Sequence, residues 1–356
     1  MASRVHVLPL LAPCMLAILG SLTTLSCGRD GIPPVPPPPA ASSPDRTDAA
    51  PMTSAAAPHM NDAGAAATPI KGRGPGFPST KPWVSFYGNA AQMGDLAKVA
   101  ATYRVINIDA DPGAANFNDA QLRTLKAGGK NRVISYMNVG ACELYRDYWS
   151  KVPAGFVGCG PNRAAHLGTY DGYPDETWMD PSNADYQKLI VEHVAARLAA
   201  RGVDGFYLDN LELLGHGDRT KNGPCNTRCK QGGLDLVRML RERFPDLLIV
   251  MQNGTSDVTR LGTTGGVAFP SLLDGIAHEE VYAPKLDAEA EQELLAWKAM
   301  PFESKKGHPL WIAVEDYVGS CKNTAAAKAA LQKSNDRGFS PYVSDESGGQ
   351  KVVCYW

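Results

Sequence analysis

The sequence predicts an α/β fold, a (β/α)₈ barrel preceded by a signal peptide and a disordered tether rich in Pro and Ala. Three observations predict it. Strand-like and helix-like runs alternate from about Lys81 onward, which is how a parallel sheet covered by helices reads. Eight strand candidates follow one another in that stretch, and several have an apolar body ending in a polar residue, as strands buried on both faces do. An open doubly wound sheet is the alternative. It would normally carry a Gly-rich phosphate loop after an early strand, and the first candidate ends plainly at Tyr87-Gly88-Asn89.

Taken from the N-terminus, residues 1–27 read as a targeting segment. Arg4 and His6 precede a mostly apolar run from Leu8 to Leu25 that ends at Ser26-Cys27, which is a signal-peptide pattern. A membrane-spanning helix is the alternative, and Pro9 and Pro13 interrupt it. Thr24-Leu25-Ser26-Cys27 looks like a bacterial lipoprotein processing site, although Leu usually stands three residues before the Cys. The expectation is export, with the protein held at the cell envelope through lipidated Cys27 or freely secreted. Residues 28–79 read as a tether: Pro, Ala, Ser and Gly dominate, and Pro33-Pro34-Val35-Pro36-Pro37-Pro38-Pro39 will be extended rather than packed.

Residues 80–356 read as the barrel. The strand candidates are Trp83–Tyr87, Arg104–Asp109, Arg132–Asn138, Gly205–Asp209, Leu248–Gln252, Gly275–Glu279, Leu310–Glu315 and Ser340–Ser344. In Ser182–Ala199 the apolar residues Tyr186, Ile190, Val194 and Leu198 recur every four positions, as on one helix face. Ser182 with Asp185 resembles a capping box there. Leu234, Val237, Leu240 and Phe244 mark a second stripe, and Leu286–Met300 and Thr324–Ser334 are later helical runs.

The 356 residues carry 44% hydrophobic residues and a formal net charge of -2, which gives no footprint for nucleic acid. Removing the signal removes Cys14. With Cys27 lipidated, Cys142, Cys159, Cys225, Cys229, Cys321 and Cys354 form an even set suited to an oxidising compartment. Proximity in sequence suggests Cys142–Cys159, Cys225–Cys229 and Cys321–Cys354, one connectivity among fifteen. A zinc site on Cys225 and Cys229 is the rival, but no second Cys/His pair at finger-like spacing follows them.

In a barrel the loops after the strands build one face, and chemistry sits there. The residues at those ends are Asp109, Asp111, Glu143, Asp209, Asn210, Gln252, Asn253, Glu279, Glu280, Glu315 and Asp316. The mouth is therefore strongly acidic on a nearly neutral chain. Paired carboxylates are what glycosidic cleavage needs: one protonates the departing oxygen and the other attacks the anomeric carbon or activates water. Each has a bland reading too. Asp209 can simply turn the chain, Glu279 can be a surface charge, and Glu143 can pair with Arg146. Their recurrence at one topological position favours the functional reading. Aromatic residues, Tyr87, Tyr136, Tyr145, Trp178, Tyr282 and Tyr317 among them, lie near the same ends and offer flat faces for sugar rings, or ordinary core packing.

At these motifs the resemblance becomes specific. Ile134-Ser135-Tyr136-Met137-Asn138-Val139-Gly140 followed by Glu143, Arg146 and Trp149 resembles a signature of glycoside hydrolase family 114, the endo-α-1,4-polygalactosaminidase or spherulin-4-like family. So do Gly172-Tyr173-Pro174-Asp175-Glu176-Thr177-Trp178-Met179-Asp180, Gly205-Phe206-Tyr207-Leu208-Asp209-Asn210, Met251-Gln252-Asn253-Gly254 and Ala277-His278-Glu279-Glu280, in the expected order. The resemblance spans Lys81 to the C-terminus. It implies a (β/α)₈ barrel, cleavage of α-1,4-linked galactosamine polymers, and catalysis by Asp209 and Glu279. Asp109, Glu143, Arg146, Asp180, Asn210 and Asn253 resemble family pocket positions, and Tyr136, Trp178 and Tyr282 join them as expected sugar contacts. Two departures bear on substrate preference: Ala141, where many bacterial relatives have a second Glu, and the insertion-like loop Asn222–Cys229.

The expected function is hydrolysis of an amino-sugar polysaccharide by a monomer without metal or other cofactor. The alternatives are a non-catalytic carbohydrate-binding protein on a degenerate barrel and a metal-dependent deacetylase. Retention of Asp209 and Glu279 weighs against the first, and the lack of a clustered His/Asp set at the strand ends against the second.

Overall fold

The computed structural model describes residues 70–71, 76–77, 82–303, 309–346 and 349–356. The signal-peptide, Cys27 and tether expectations therefore lie outside the described residues, apart from isolated residues near the end of the tether.

Eight parallel strands follow chain order around one sheet: β1 (Trp83–Phe86), β2 (Val105–Ile108), β3 (Arg132–Asn138), β4 (Gly205–Asp209), β5 (Leu248–Gln252), β6 (Gly275–Glu279), β7 (Trp311–Tyr317) and β8 (Ser340–Ser344). β2, Val-Ile-Asn-Ile, and β5, Leu-Ile-Val-Met-Gln, are buried at every position, as expected of strands covered on one face by helices and on the other by barrel filling. The filling is aromatic. Trp83 meets Trp311 edge-on at 5.4 Å, and Tyr342 and Tyr207 lie at 5.8 and 6.5 Å from it. Trp83 is thus core.

The sheet is rolled nearly shut. Among the described residues no ladder joins β8 to β1. The indole Nε1 of Trp83 instead donates to the Ser340 carbonyl at 2.8 Å across the seam.

Helices cover the outside: α1 (Leu96–Thr102), α2 (Asp119–Lys126), α3 (Ala184–Lys188) running through a π-helical stretch (Leu189–Val194) into α4 (Ala195–Ala200), α5 (Thr227–Arg243), α6 (Ala288–Lys298) and α7 (Thr324–Asp336). Asn118 opens α2 with a full capping box to Gln121. The box expected at Ser182 and Asp185 is absent. Asn183 caps α3, accepting from the Tyr186 amide at 3.0 Å, while the Ser182 hydroxyl donates to Asp180 at 2.7 Å. Among the described residues no helix follows β8; residues 349–356 carry no regular element and lie along the seam, with Gln350 bonded to Tyr87 beside β1 and Trp356 to Val343 in β8.

No strand candidate falls in the connection between β3 and α3. It contains a three-stranded antiparallel sheet, with Ala141–Glu143 and His166–Tyr170 flanking Tyr173–Met179. Asp171-Gly172 makes its tight turn, with Gly172 at φ 88°, a conformation Gly adopts without the cost a Cβ imposes. Three disulfides, Cys142–Cys159, Cys225–Cys229 and Cys321–Cys354, brace this insertion, the start of α5 and the C-terminal segment.

Candidate active site

The mouth of the barrel is shaped by a repeated backbone device. β4, β5 and β6 end in Asp209, Gln252 and Glu279, and the next residue of each, Asn210, Asn253 and Glu280, has φ of 64°, 57° and 56°. A left-handed residue turns the chain sharply outward, which leaves the preceding side chain at the rim. Asn tolerates this region and Glu rarely enters it. The turn after β4 is pressed against β3: the Val139 amide donates to the Asp209 carbonyl at 3.1 Å, and a Cβ on Gly140 would stand 1.8 Å from the Asn210 carbonyl oxygen. Only Gly fits that position of the Asn138-Val139-Gly140 motif.

A cavity of about 590 Å³ opens at these ends. Asp209, Asn210, Gln252, Asn253 and Glu279 line it from the strands. Tyr170, Tyr173, Asp175 and Glu176 line it from the inserted hairpin, Asp109, Tyr136 and Arg146 from the β2 and β3 side, and Tyr87 and Gln350 from the seam. Five carboxylic acids face it against two cations, Arg146 and Lys351, so the local field is negative although the chain is nearly neutral.

Glu279 is held from both sides. One oxygen, Oε2, accepts from Gln252 Nε2 and from Asn253 Nδ2 at 2.9 Å; the other, Oε1, accepts from the Tyr317 hydroxyl and from Gln350 Nε2 at 3.4 Å. Asn253 also accepts from the Glu279 amide at 3.0 Å, which locks residue to residue across β5 and β6. Asp209 has the opposite environment. Burial pushes its carboxyl well above the usual range, and Glu212, Glu279 and Glu176 push the same way, opposed by the Asn210 amide.

Further acids share this strain. Glu176 is pushed up to about 7 by burial and by Glu143, although Asn138 and Asn210 each donate to it at 3.2 Å. Burial raises Glu212 to about 7 against the Tyr170 hydroxyl that donates to it at 3.2 Å. Glu315, fully enclosed behind Glu279, is pushed well up by burial and then by Glu279. On the other wall Arg146 spans Asp109 at 2.9 Å and Glu143 at 3.3 Å. Burial raises Asp109, and Arg146 opposes it.

Of the expected site residues, the fold brings Asp209, Glu279, Asp109, Tyr136, Arg146, Asn210 and Asn253 to the cavity. It does not bring the other four. Glu143 is fully buried behind Arg146 and accepts from Tyr136 at 3.1 Å, so it holds pocket residues without lining the pocket. Trp178 is core: it stacks beneath Tyr170 at 4.1 Å and donates to Asn222 at 2.5 Å. Asp180 accepts from the Ser182 amide and hydroxyl, turning the chain into α3. Tyr282 is buried with its hydroxyl on Glu291 at 3.0 Å. Sequence reasoning missed Glu176, Glu212, Tyr170 and Gln350 as contributors. Asp171-Gly172 signalled the hairpin that carries Tyr170 and Glu176. No local signal marked Gln350, whose place depends on long-range packing.

Among the described residues no group of three or more His, Cys, Asp or Glu is arranged to hold a metal ion. The Asn222–Cys229 loop packs against the hairpin, with Asn222 accepting from the Asp171 amide at 3.1 Å as well as from Trp178.

A model of glycoside-hydrolase family GH114 matches residues 78–356. A protein of Deinococcus radiodurans, described as uncharacterized, is 25% identical over 236 residues, which is 63% of this chain and 67% of that protein. Two solved structures share the fold. The glycoside hydrolase domain of PelA from Pseudomonas aeruginosa has a TM-score of 0.54 and 18% identity, over 76% of this chain and 98% of that one. Ega3 of Aspergillus fumigatus in complex with galactosamine has a TM-score of 0.54 and 16% identity, over 77% and 93%.

Proposed function

The chain belongs to glycoside-hydrolase family GH114 and is a glycoside hydrolase; we propose that it hydrolyses a galactosamine-containing polysaccharide from within the chain, with Asp209 as nucleophile or base and Glu279 as general acid. The observation that carries this reading is the composition of the cavity: five acids and two cations, with Asp209 and Glu279 on strands separated only by β5. The galactosamine bound to the fold-sharing Ega3 supports the choice of sugar.

The charge of such a substrate suits the site. Burial and three neighbouring carboxyls favour the protonated form of Asp209. An ammonium group bound among Asp175, Glu176 and Asp209 offsets that repulsion and favours the ionised form the reaction needs. The cationic sugar then helps to prepare its own nucleophile, which an acetylated sugar does not. Tyr170 and Tyr173, ring centroids 5.0 Å apart at the cavity wall, offer apolar faces to the sugar rings.

The deciding experiment incubates the globular domain with polymers of galactosamine and of N-acetylgalactosamine and measures new reducing ends. Cleavage of the deacetylated polymer into oligomers supports the reading. Binding of both polymers without new ends favours a sugar-binding protein instead. We further propose export, with lipidated Cys27 anchoring the domain and the monomer working at the cell envelope.

A further inference from the structure

The C-terminal segment crosses the seam between β8 and β1 and delivers one side chain to the site. Gln350 is almost completely buried. Its carbonyl accepts from the Tyr87 amide at 2.9 Å, beside the end of β1. Its Nε2 donates to the Tyr317 hydroxyl at 2.6 Å and to Glu279 Oε1 at 3.4 Å, and Tyr317 donates to the same Glu279 oxygen. Oε2 of Glu279 is held from β5 and the residue after it, and Oε1 is held by Tyr317 and by this segment.

Two features separate Gln350 from packing filler. Its φ is 34°, in the left-handed region that a side chain other than Gly or Asn enters only when its surroundings hold it there. Its side chain also hydrogen-bonds the Glu315 carboxyl enclosed behind Glu279, a polar contact an apolar residue of the same length would not make. The side chain thus joins Tyr317, Glu279 and Glu315. The holding is done four residues on. Cys354 is bridged to Cys321, its carbonyl accepts from the Tyr103 hydroxyl at 2.5 Å, and its amide donates to the Tyr342 hydroxyl at 3.3 Å. Trp356 adds a bond from its indole to the Val343 carbonyl at 2.7 Å.

We propose that Gln350 is a positioning residue for Glu279, presented by a C-terminal strap that the Cys321–Cys354 disulfide pins across the barrel seam. The other groups that face Glu279 explain why a neutral donor is needed. Asp209 and Glu212 approach from β4 and the turn after it, Glu315 and Tyr317 from β7, Tyr87 from β1, and Tyr173 from the hairpin. All are acidic or phenolic. Amide donors hold the Glu279 carboxyl in one rotamer without bringing beside a proton donor the positive charge that a Lys or Arg would add. The inference rests on the hydrolase reading only for the role of Glu279; the geometry stands without it.

Gln350→Met keeps the length and removes the donor. Its crystal structure should show the Glu279 carboxyl or the Tyr317 hydroxyl turned from its wild-type position. On the galactosamine polymer, kcat should fall at least about tenfold while KM stays within about twofold, the pattern of an interaction that matters for the reacting geometry and not for ground-state binding. The C321S/C354S double variant should reproduce that split, and its structure should show Gln350 withdrawn from Tyr317. An unmoved Glu279 and Tyr317 in Q350M, or unchanged kcat, overturns the positioning role. Wild-type kcat in the double variant, with Gln350 still in place, overturns the pinning role. If the wild type cleaves no galactosamine polymer, the proposed substrate falls, and the variant structures still decide the strap. If the double variant does not fold, Q350M alone decides.

Discussion

Glu279 and Glu315 are direct partners on the β6–β7 ladder, so two carboxyl side chains project to the same side from adjacent strands. Glu279 reaches the cavity and is held by donors on both oxygens. Glu315 stays fully enclosed, and burial together with Glu279 keeps its carboxyl well above the ordinary range.

The enclosed acid should cost stability at alkaline pH. An acid whose folded pKa lies above its unfolded value favours the fold fully below the unfolded value, near 4.5 for Glu315. That contribution is lost as pH rises through the folded value. Glu315→Gln removes the titration. It should stabilise the domain by roughly 1–3 kcal/mol at pH 8 and by much less at pH 5, read as the difference in denaturant midpoints between variant and wild type. Equal effects at both pH values would show that Glu315 does not titrate in this window.

Asp209 should titrate earlier when its neighbours are neutralised. Glu212 is the carboxyl that raises Asp209 most after burial itself. Removing its charge lowers the Asp209 pKa, so the ionised form appears at lower pH. In Glu212→Gln the acidic limb of the kcat/KM profile should therefore move to lower pH. Movement to higher pH would contradict the assignment of Asp209 as the group that must ionise.

Asp209→Asn and Glu279→Gln should each lose at least about a hundredfold in rate, in line with the roughly 10²–10⁴ that general acid–base groups contribute. Binding of the polymer should largely survive in both, since the amides still hydrogen-bond. A substrate with a better leaving group should rescue Glu279→Gln far more than Asp209→Asn. Rescue in the reverse order would exchange the two roles, and near-wild-type turnover in both would remove the pair from catalysis.

Gly140→Ala should damage the site from behind. The added methyl would stand 1.8 Å from the Asn210 carbonyl oxygen, so the turn that holds Asp209 must move. Overpacking of this kind costs about 1–3 kcal/mol or more, and the rate loss should exceed what that destabilisation alone produces at a temperature where the variant is folded. Unaltered kinetics in a folded variant would show that the turn shifts without carrying Asp209.

The anchor is tested by Cys27→Ala, which should abolish lipid labelling and release the globular domain from the membrane fraction. A wild type that takes up no label would exclude the lipoprotein reading, and equal membrane retention of both processed forms would exclude Cys27 as the anchor.

The barrel was legible because its strands are short, buried on both faces and punctuated by polar ends; β3 to β6 and β8 have the bounds read from the sequence. The left-handed turns at Asn210 and Asn253 could be read as motifs, since Asn suits that backbone, whereas Glu280 carries no such mark. The errors have one cause. Trp178, Asp180 and Tyr282 lie close in sequence to residues that line the cavity, but whether a side chain faces a pocket or the core depends on strand pairing and loop closure. Glu176 was hidden because no strand candidate covers the insertion, and Glu212 because it lies in the 3₁₀ turn just beyond the expected strand end. Gln350 is 71 residues from Glu279, and no local pattern joins them.

The unladdered seam gives the barrel a mechanical polarity. A rolled sheet whose outer strands meet through a side-chain bond and a strap loosens first along that line, because less backbone hydrogen bonding must break there than anywhere else on the circumference. Asp209 and Glu279 are borne by β4 and β6, near the middle of the roll, with β5 laddered to both. Opening at the seam would therefore draw on Tyr87 and Gln350 first, and reach Glu279 through Gln350 before it disturbed the β4–β5–β6 ladder.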